Sequence, residues 1–171
     1  MEPDRPLPSE PNAERLVLGT IMSERRAIDE VRDLLTANCF YEPLNRRIFE
    51  AITDIDARGD SPDMVTVANE MRKGDEPVDF YELSVIAGCH TADIYQHAAI
   101  LHDKEKRRRL IEIGTLMRQR AYAESDDIVD ILADAEDSLK GLFQSAKDNI
   151  ATLREAIKGV TEQMSLNASD S

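Results

Sequence analysis

The sequence has no tryptophan and few other aromatic residues, which limits the kinds of ligand it can hold. Four tyrosines and four phenylalanines are spread over 171 residues. A chain of this length needs most of these rings for its core, so they do not form the stacking platform that single-stranded nucleic acids require. The scattered positions of the tyrosines agree with this interpretation; they are Tyr41, Tyr81, Tyr95 and Tyr122.

Cysteine is also scarce, since Cys39 and Cys89 are the only two and form no CxxC pair. This excludes a disulfide framework and is typical of a reducing compartment, so we expect a cytoplasmic protein with two buried thiols. No apolar run is long enough to cross a bilayer. The proline-rich residues 1–11 lack the apolar core of a signal peptide and are predicted to form an extended, mobile arm.

Positive charge is in deficit: 21 Lys and Arg stand against 34 Asp and Glu, for a net charge of -13. An acidic chain does not attract the phosphate backbone, so we expect no direct nucleic-acid binding. The basic run at residues 104–109 is the one local exception. Because Asp103 and Glu105 are mixed into it, we interpret the run as a solvated stretch of helix.

The sequence also lacks the motifs that carry chemistry. Neither GxxxxGK[ST] nor GxGxxG occurs among the seven glycines, so no phosphate-binding loop is present. His97 and His102 are five residues apart on a predicted helix, which places them on different faces, and His90 beside Cys89 supplies too few metal ligands. We therefore predict a chain with no catalytic residue, no cofactor and no metal, which is not an enzyme by itself.

Apolar periodicity predicts an all-α protein whose body is a compact bundle of five short helices. No segment alternates with the period of a β-strand. We expect Asn12 to cap the first helix, with Glu14 exposed in its first turn, and Ser61 or Asp63 to cap the fourth. The predicted helices are residues 12–22, 27–35, 45–57, 65–72 and 80–87.

After the body, the pattern predicts an antiparallel helical hairpin. Residues 94–121 form one long helix without proline, residues 122–125 a tight break, and Ser125, Asp126 and Asp127 begin a returning helix. Apolar residues on both helices are spaced by 4 and 3, as in a coiled coil. The predicted inner seam is Leu110, Gly114, Met117 and Ala121 against Ile128, Leu132, Ala135, Leu139 and Leu142.

Further apolar residues remain on the hairpin once that seam is formed, and an uncovered apolar face favours a partner. We predict that the hairpin projects from the body and self-associates. The alternative is that it folds back over its own domain. The residues predicted to contribute to self-association are Leu110, Ile111, Ile113, Leu116, Met117, Ile128, Ile131 and Leu132.

One more amphipathic helix is predicted at residues 152–164, and a helix of this length needs a surface on which to bury its apolar stripe. The stripe is Leu153, Ile157, Val160 and Met164. The predicted organisation is therefore an arm (1–11), a helical body (12–91), a hairpin (92–146), and a linker helix with a tail (147–171).

The order of several short motifs resembles the amino-terminal domain of bacterial replicative DNA helicases of the DnaB type. Asn45 stands where that family usually has histidine, and the loop before the fifth helix is shorter than in the family. The matching motifs are Leu7-Pro8, Asn12-Ala13-Glu14, Val17-Leu18-Gly19, Phe40-Tyr41, Arg47-Ile48-Phe49, Pro62-Asp63-Met64-Val65-Thr66, and the basic run with Leu110-Ile111.

The resemblance implies a docking and oligomerisation domain of an ATP-driven helicase whose motor domain is absent from this chain. It implies a homodimer through the hairpin, a hexamer in the full-length protein, and docking of the carboxy-terminal domain of primase, with a helicase loader as a further candidate partner. Tyr122, Ile128 and Glu14 are the candidate primase contacts. The alternatives are the helicase-binding domain of a primase, a stand-alone helical adaptor, or a small helical enzyme.

Overall fold

The computed structural model describes residues 5–74, 76–123 and 125–143, and within these ranges every regular element is helical. The all-α prediction is therefore confirmed. Residues 128–143 are helical and are called α7. The other elements are α1 (Pro11–Ser23), α2 (Ala27–Val31), a 3₁₀ helix (Ala37–Cys39), α3 (Pro43–Ala57), α4 (Met64–Met71), α5 (Phe80–Ala87) and α6 (Ile94–Tyr122).

The chain divides into two compact units between Arg108 and Arg109. The first unit, called the body, contains α1 to α5 and the first half of α6. The second unit, called the hairpin, contains the rest of α6 and α7. The division falls inside one continuous helix, because α6 runs without a break to Tyr122.

The body buries one hydrophobic core. Helix α1 packs mainly on α5, and α3 packs on α1, α4 and the 3₁₀ helix. The ring of Phe40 is fully buried, with its centroid 4.7 Å from that of Phe49. Helix α6 adds three apolar residues from its first turns to this core, namely Ile94, Ala98 and Leu101. The core therefore ends where the basic run begins.

Helix boundaries follow local chemistry, with two corrections. Asp63 caps α4 by accepting a hydrogen bond from the Thr66 amide (2.8 Å), as predicted. Helix α1 instead begins at Pro11 behind Glu10, so the predicted Asn12 cap is wrong; proline suits this position because it has no amide hydrogen to satisfy. Helix α2 ends at Val31, earlier than predicted. Of the two thiols predicted to be buried, Cys39 is buried, whereas Cys89 is only partly buried.

Gly19 allows α1 to cross the end of α5 at close range. A Cβ atom at this position would overlap the carbonyl oxygens of Cys89 and Ile86. The same crossing is tied by hydrogen bonds, since the Thr91 amide donates to the Thr20 hydroxyl at 3.0 Å. A side chain on Gly19 would therefore force the backbones of α1 and the α5 end apart.

Arg108 corrects the interpretation of the basic run as wholly solvated. Its guanidinium donates to the carbonyl oxygens of Pro8 (2.9 Å), Asn38 (2.6 Å) and Cys39 (3.0 Å), and lies over the ring of Tyr41. The extended arm is thus held at Pro8 by the body. The predicted linker helix, with Leu153, Ile157, Val160 and Met164, lies outside the described residues.

Candidate protein-docking surfaces

The turn of the hairpin is built by acidic side chains at the start of α7. Asp127 accepts a hydrogen bond from the Val129 amide (2.8 Å), and its carbonyl accepts from the Ile131 amide (3.1 Å). Asp127 is therefore the cap of α7, and the prediction of Ser125 for this role is wrong. An acidic cap also carries negative charge where the helix dipole favours it.

Arg120 joins the two helices near the turn. Its Nη1 donates to Asp134 of α7 at 2.5 Å and its Nε donates to Asp126 at 3.0 Å. These hydrogen bonds, that to Asp134 above all, raise the pKa of Arg120 above its usual value. In this arrangement Asp134 of α7 faces Arg120 of α6.

The inner seam of the hairpin differs from the prediction. On α7, Ile131 and Ala135 are the buried residues, at 7% and 6% exposure. With Ile113 and Met117 of α6 they line a cavity of about 30 Å³, and Leu116, Arg120, Asp134 and Ser138 complete its wall. The seam thus follows a heptad face that contains an arginine and a serine.

Five residues of the predicted seam lie elsewhere. The side chains of Leu110, Ile128 and Leu132 are 52%, 60% and 60% exposed, and Gly114 and Ala121 are exposed as well. The prediction followed the heptad spacing, whereas in the structure a neighbouring face of each helix, which bears Arg120 and Asp134, lies inward. Met117 and Ala135 lie in the inner seam as predicted, and Ile113 and Ile131, which we assigned to self-association, take part in it as well.

The displaced residues, together with the half-buried Leu139, are called the open strip. On each helix the open strip is rotated by roughly a quarter turn from the inner seam, in the same sense. Because α6 and α7 run antiparallel, the two halves meet on one side of the hairpin. The open strip consists of Leu110, Gly114 and Ala121 on α6, and Ile128, Leu132 and the half-buried Leu139 on α7.

The other apolar residues of the hairpin are also exposed. Ile111 and Leu116, both assigned to self-association, are 45% and 54% exposed and lie outside the open strip. At the turn, Tyr122 is 83% exposed and Val129 is 68% exposed next to Ile128. The structure therefore brings Tyr122 and Ile128 to the same end of the hairpin. It adds Val129, which our apolar pattern missed because valine falls outside the heptad.

Glu14 is a structural residue of the body, which corrects its assignment as an exposed docking residue. Its carboxylate is fully buried and accepts hydrogen bonds from the Tyr41 amide (2.7 Å), the Glu42 amide (3.3 Å) and the Asn45 side chain (2.8 Å). These donors lie at the start of α3, which has no side-chain cap of its own. Glu14 therefore caps α3 from α1 and is inaccessible to a partner.

The body presents one exposed apolar group that the sequence did not single out. Tyr81 and Val85, one turn apart on α5, are 74% and 36% exposed, and Phe80 beside them is 42% exposed. The guanidinium of Arg72 lies over the Phe80 ring at 4.6 Å. The spacing of Tyr81 and Val85 could have indicated this surface, but their apolar character suggested core.

The described residues show neither a metal site nor a membrane-spanning helix. Within those ranges no three His, Cys, Asp or Glu side chains are grouped as metal ligands, and no helix is long and apolar enough to cross a bilayer. His90 is bonded to the Ser23 hydroxyl at 3.0 Å, and burial lowers the pKa of His102.

Comparisons with known proteins agree with this picture. The family model described as DnaB-like helicase N-terminal domain matches residues 6–103. The replicative DNA helicases DnaB of Mycobacterium leprae and DnaC of Bacillus subtilis are 28% and 29% identical over 95% and 82% of this chain. The chain spans only 28% and 32% of their respective lengths.

A solved structure gives the same result at the level of the fold. The crystal structure of the N-terminal domain of DnaB helicase from Mycobacterium tuberculosis matches with a TM-score of 0.73 and 30% identity. The match covers 80% of this chain and 99% of that domain. The similarity is therefore to one domain and extends over nearly all of it.

Proposed function

Because this chain belongs to the DnaB-like helicase N-terminal domain family, we propose that it is an oligomerisation and protein-docking module of a replicative DNA helicase. The observation that carries the proposal is the open strip, because an apolar surface exposed to water in this way is typical of a protein–protein interaction site. ATP hydrolysis would belong to the motor domain, which lies in the part of the relatives that this chain does not span. In that view this chain contributes assembly and recognition, and no catalysis.

Self-association through the open strip is the first part of the proposal. Leu110, Ile128, Leu132 and Leu139 are the large side chains of this surface, so a two-fold dimer would cover eight of them. Because they are about half exposed, their burial would contribute roughly 6 to 12 kcal/mol at 1.5 to 3 kcal/mol for each complete burial. This is of the same order as the cost of association, about 4 to 15 kcal/mol. A reversible dimer is the expected result.

Docking of a primase domain at the turn of the hairpin is the second part. Tyr122 and Val129 place exposed apolar surface there, beside Ile128 of the open strip, and Asp127 adds negative charge at the start of α7. Aromatic residues with high exposure at the end of an element are common anchors in interfaces. In the complete helicase we propose that the dimers assemble into a hexameric collar on which primase docks. A helicase loader and the neighbouring motor are further candidate partners, the motor receiving the linker helix.

Mass in solution tests the self-association. Leu132→Asp places a charge on the open strip without touching the inner seam, so it should convert the dimer to a monomer while the body keeps its melting temperature. Ala133→Asp is the matched control, because Ala133 is exposed and lies about 100° around the helix from Leu132, off the open strip. A Leu132→Asp chain with the mass of the wild type would refute the role of the open strip.

Titration with the cognate primase domain tests the docking site. Tyr122→Ala should weaken binding by about ten-fold or more if the ring is an anchor, since hot-spot residues contribute 2 kcal/mol or more. Tyr81→Ala removes a similarly exposed ring from the body and serves as the control. Unchanged affinity for Tyr122→Ala would leave this residue as a part of the turn only.

A further inference from the structure

The inner seam of the hairpin buries little apolar surface. Over the described length of α7, residues 128–143, Ile131 and Ala135 alone are buried. Opposite them Ile113 and Met117 are partly buried, and the helices leave a cavity of about 30 Å³ between them. Most residues of α7 therefore gain no packing energy from the inner seam.

Local interactions do not make up for this thin seam. An isolated helix shorter than roughly 12 to 15 residues is marginal in water, and one of the described length of α7 is only slightly longer. The Arg120–Asp134 pair is exposed on the Asp134 side, at 67%, and exposed ion pairs contribute little. The Asp127 cap favours the start of the helix but does not attach it to α6.

We infer that the ordering of α7 is coupled to self-association, so that α7 packs stably on α6 only when a second copy covers the open strip. The inference rests on the proposed self-association and adds what controls the hairpin. Ile131 and Ala135 face α6, and Ile128 and Leu132 of the open strip lie on the adjacent face of the same helix. A second copy would therefore hold α7 on two faces, where one chain alone holds it on one.

The coupling has a consequence for recognition. Tyr122 ends α6 and Val129, which lies outside the open strip, stands in the first turn of α7, so the relative orientation of the two side chains is set only when the turn between the helices is formed. A partner that contacts both residues would bind the dimer in preference to the monomer. Dimerisation then regulates docking without any contact between the partner and the open strip.

Amide hydrogen exchange during dilution measures the coupling directly. As the mass of the wild type falls from dimer to monomer, the protection of amides in residues 128–143 should fall by about ten-fold or more, because local opening is no longer opposed by the second copy. The amides of Ile48 and Ile52, which are buried in the body, serve as the internal reference. Their protection should not change.

Two variants separate the open strip from other effects of substitution. Leu132→Asp should show the exchange pattern of the dilute monomer at every concentration. Ala133→Asp introduces the same charge one residue away and should follow the wild type in both mass and protection. This pair keeps composition and helix propensity nearly constant while it moves the charge off the open strip.

A disulfide between α6 and α7 tests the coupling from the opposite direction, because it attaches α7 to α6 without a second copy. Met117 and Ala135 line the same cavity, so the double variant Met117→Cys/Ala135→Cys, made with Cys89→Ser, is designed to fasten α7 to α6. The oxidised chain should keep its protection as a monomer and dimerise about ten-fold more tightly, because the ordering cost has been met in advance. The reduced form of the same chain is the control.

The outcomes distinguish the inference from the proposal beneath it. Loss of protection that follows dissociation supports both. Protection of residues 128–143 that persists in a chain shown to be monomeric by dilution overturns the coupling and leaves the dimer in place. A wild-type chain that is monomeric at all concentrations, with its hairpin protected, overturns self-association and the coupling together.

Discussion

The body and the hairpin are built from the same element but differ in how completely they cover their apolar residues. In the body, α1 and α3 are packed on several neighbours and residues such as Val17, Ile48 and Ile52 have no exposure. In the described part of the hairpin α6 and α7 pack on each other, and Ile128 and Leu132 remain 60% exposed. Helical periodicity is sufficient to form a helix, while closing a core requires elements on more than one side.

Polar groups show the same contrast. The buried carboxylate of Glu14 joins α1 to the start of α3 inside the body, where its hydrogen bond from Asn45 is buried and that from the Tyr41 amide is partly buried. The Arg120–Asp134 pair joins α6 to α7 at the surface of the hairpin. A buried polar contact is costly to break because the donors that remain cannot find water, and this makes the body the more cooperative of the two units.

The largest expected effect comes from Glu14→Ala. It leaves two backbone amides and the Asn45 side chain without an acceptor, so the body should lose about 3 to 5 kcal/mol of unfolding free energy. Denaturant unfolding followed by circular dichroism measures this loss. Glu10→Ala changes the non-helical residue just before α1 and should alter stability by less than about 0.5 kcal/mol. Equal effects of the two substitutions would contradict the structural role of Glu14.

Alanine at two glycines compares the units directly. Gly19→Ala pushes a Cβ atom into backbone carbonyls and should destabilise the body by about 2 to 3 kcal/mol. Gly114→Ala meets nothing within 4 Å and should instead favour α6 by about 0.5 to 1 kcal/mol. Thermal unfolding of the two variants, side by side, gives the measurement. A stabilising Gly19→Ala would show that α1 and the α5 end are not in close contact.

Filling the cavity in the inner seam should bring the stability of the hairpin closer to that of the body. Ser138 lines the cavity between α6 and α7, and Ser138→Leu would extend the row formed by Ile131 and Ala135. The expected gain is about 0.5 to 1.5 kcal/mol, seen as slower amide exchange in residues 128–143. Ala133→Leu adds the same side chain on the exposed side and should leave exchange nearly unchanged. Equal protection in both variants would contradict the assigned seam.

The smallest expected effect concerns acid. Hydrogen bonds from Arg58, and then from Lys73, lower the pKa of Glu70 from 4.5 to about 2. Because the folded-state pKa is depressed, the contribution of Glu70 to stability is present above pH 4.5 and is lost as the pH falls toward 2. Glu70→Gln should therefore flatten the decline of stability over this interval, as followed by denaturant midpoints. Glu50→Gln, on exposed α3 surface, should retain the wild-type decline.

Much of the fold could be predicted because its determinants are local. The capping residue Asp63 and the bounds of α5 follow from residues within one or two turns, and Gly59, with a φ of 82°, ends α3 as its position suggested. The long α6 was predicted almost to the residue because nothing in it breaks a helix. Glu14, by contrast, was assigned to the surface, since its acceptor role depends on amides 27 and 28 residues away.

The sequence by itself determined that this protein is helical, where its helices lie, that a hairpin follows the body, and that no phosphate-binding loop is present. Only the tertiary structure decided which face of the hairpin is closed. Two apolar faces overlap on α7, one with Ile128 and Leu132 and one with Ile131 and Ala135, and periodicity fits both. In the structure the second face lies inward, against Ile113 and Met117 of α6, and is flanked by the contact between Arg120 and Asp134, 14 residues apart. A choice between faces of similar hydrophobicity depends on such long-range contacts together, which a local pattern does not contain.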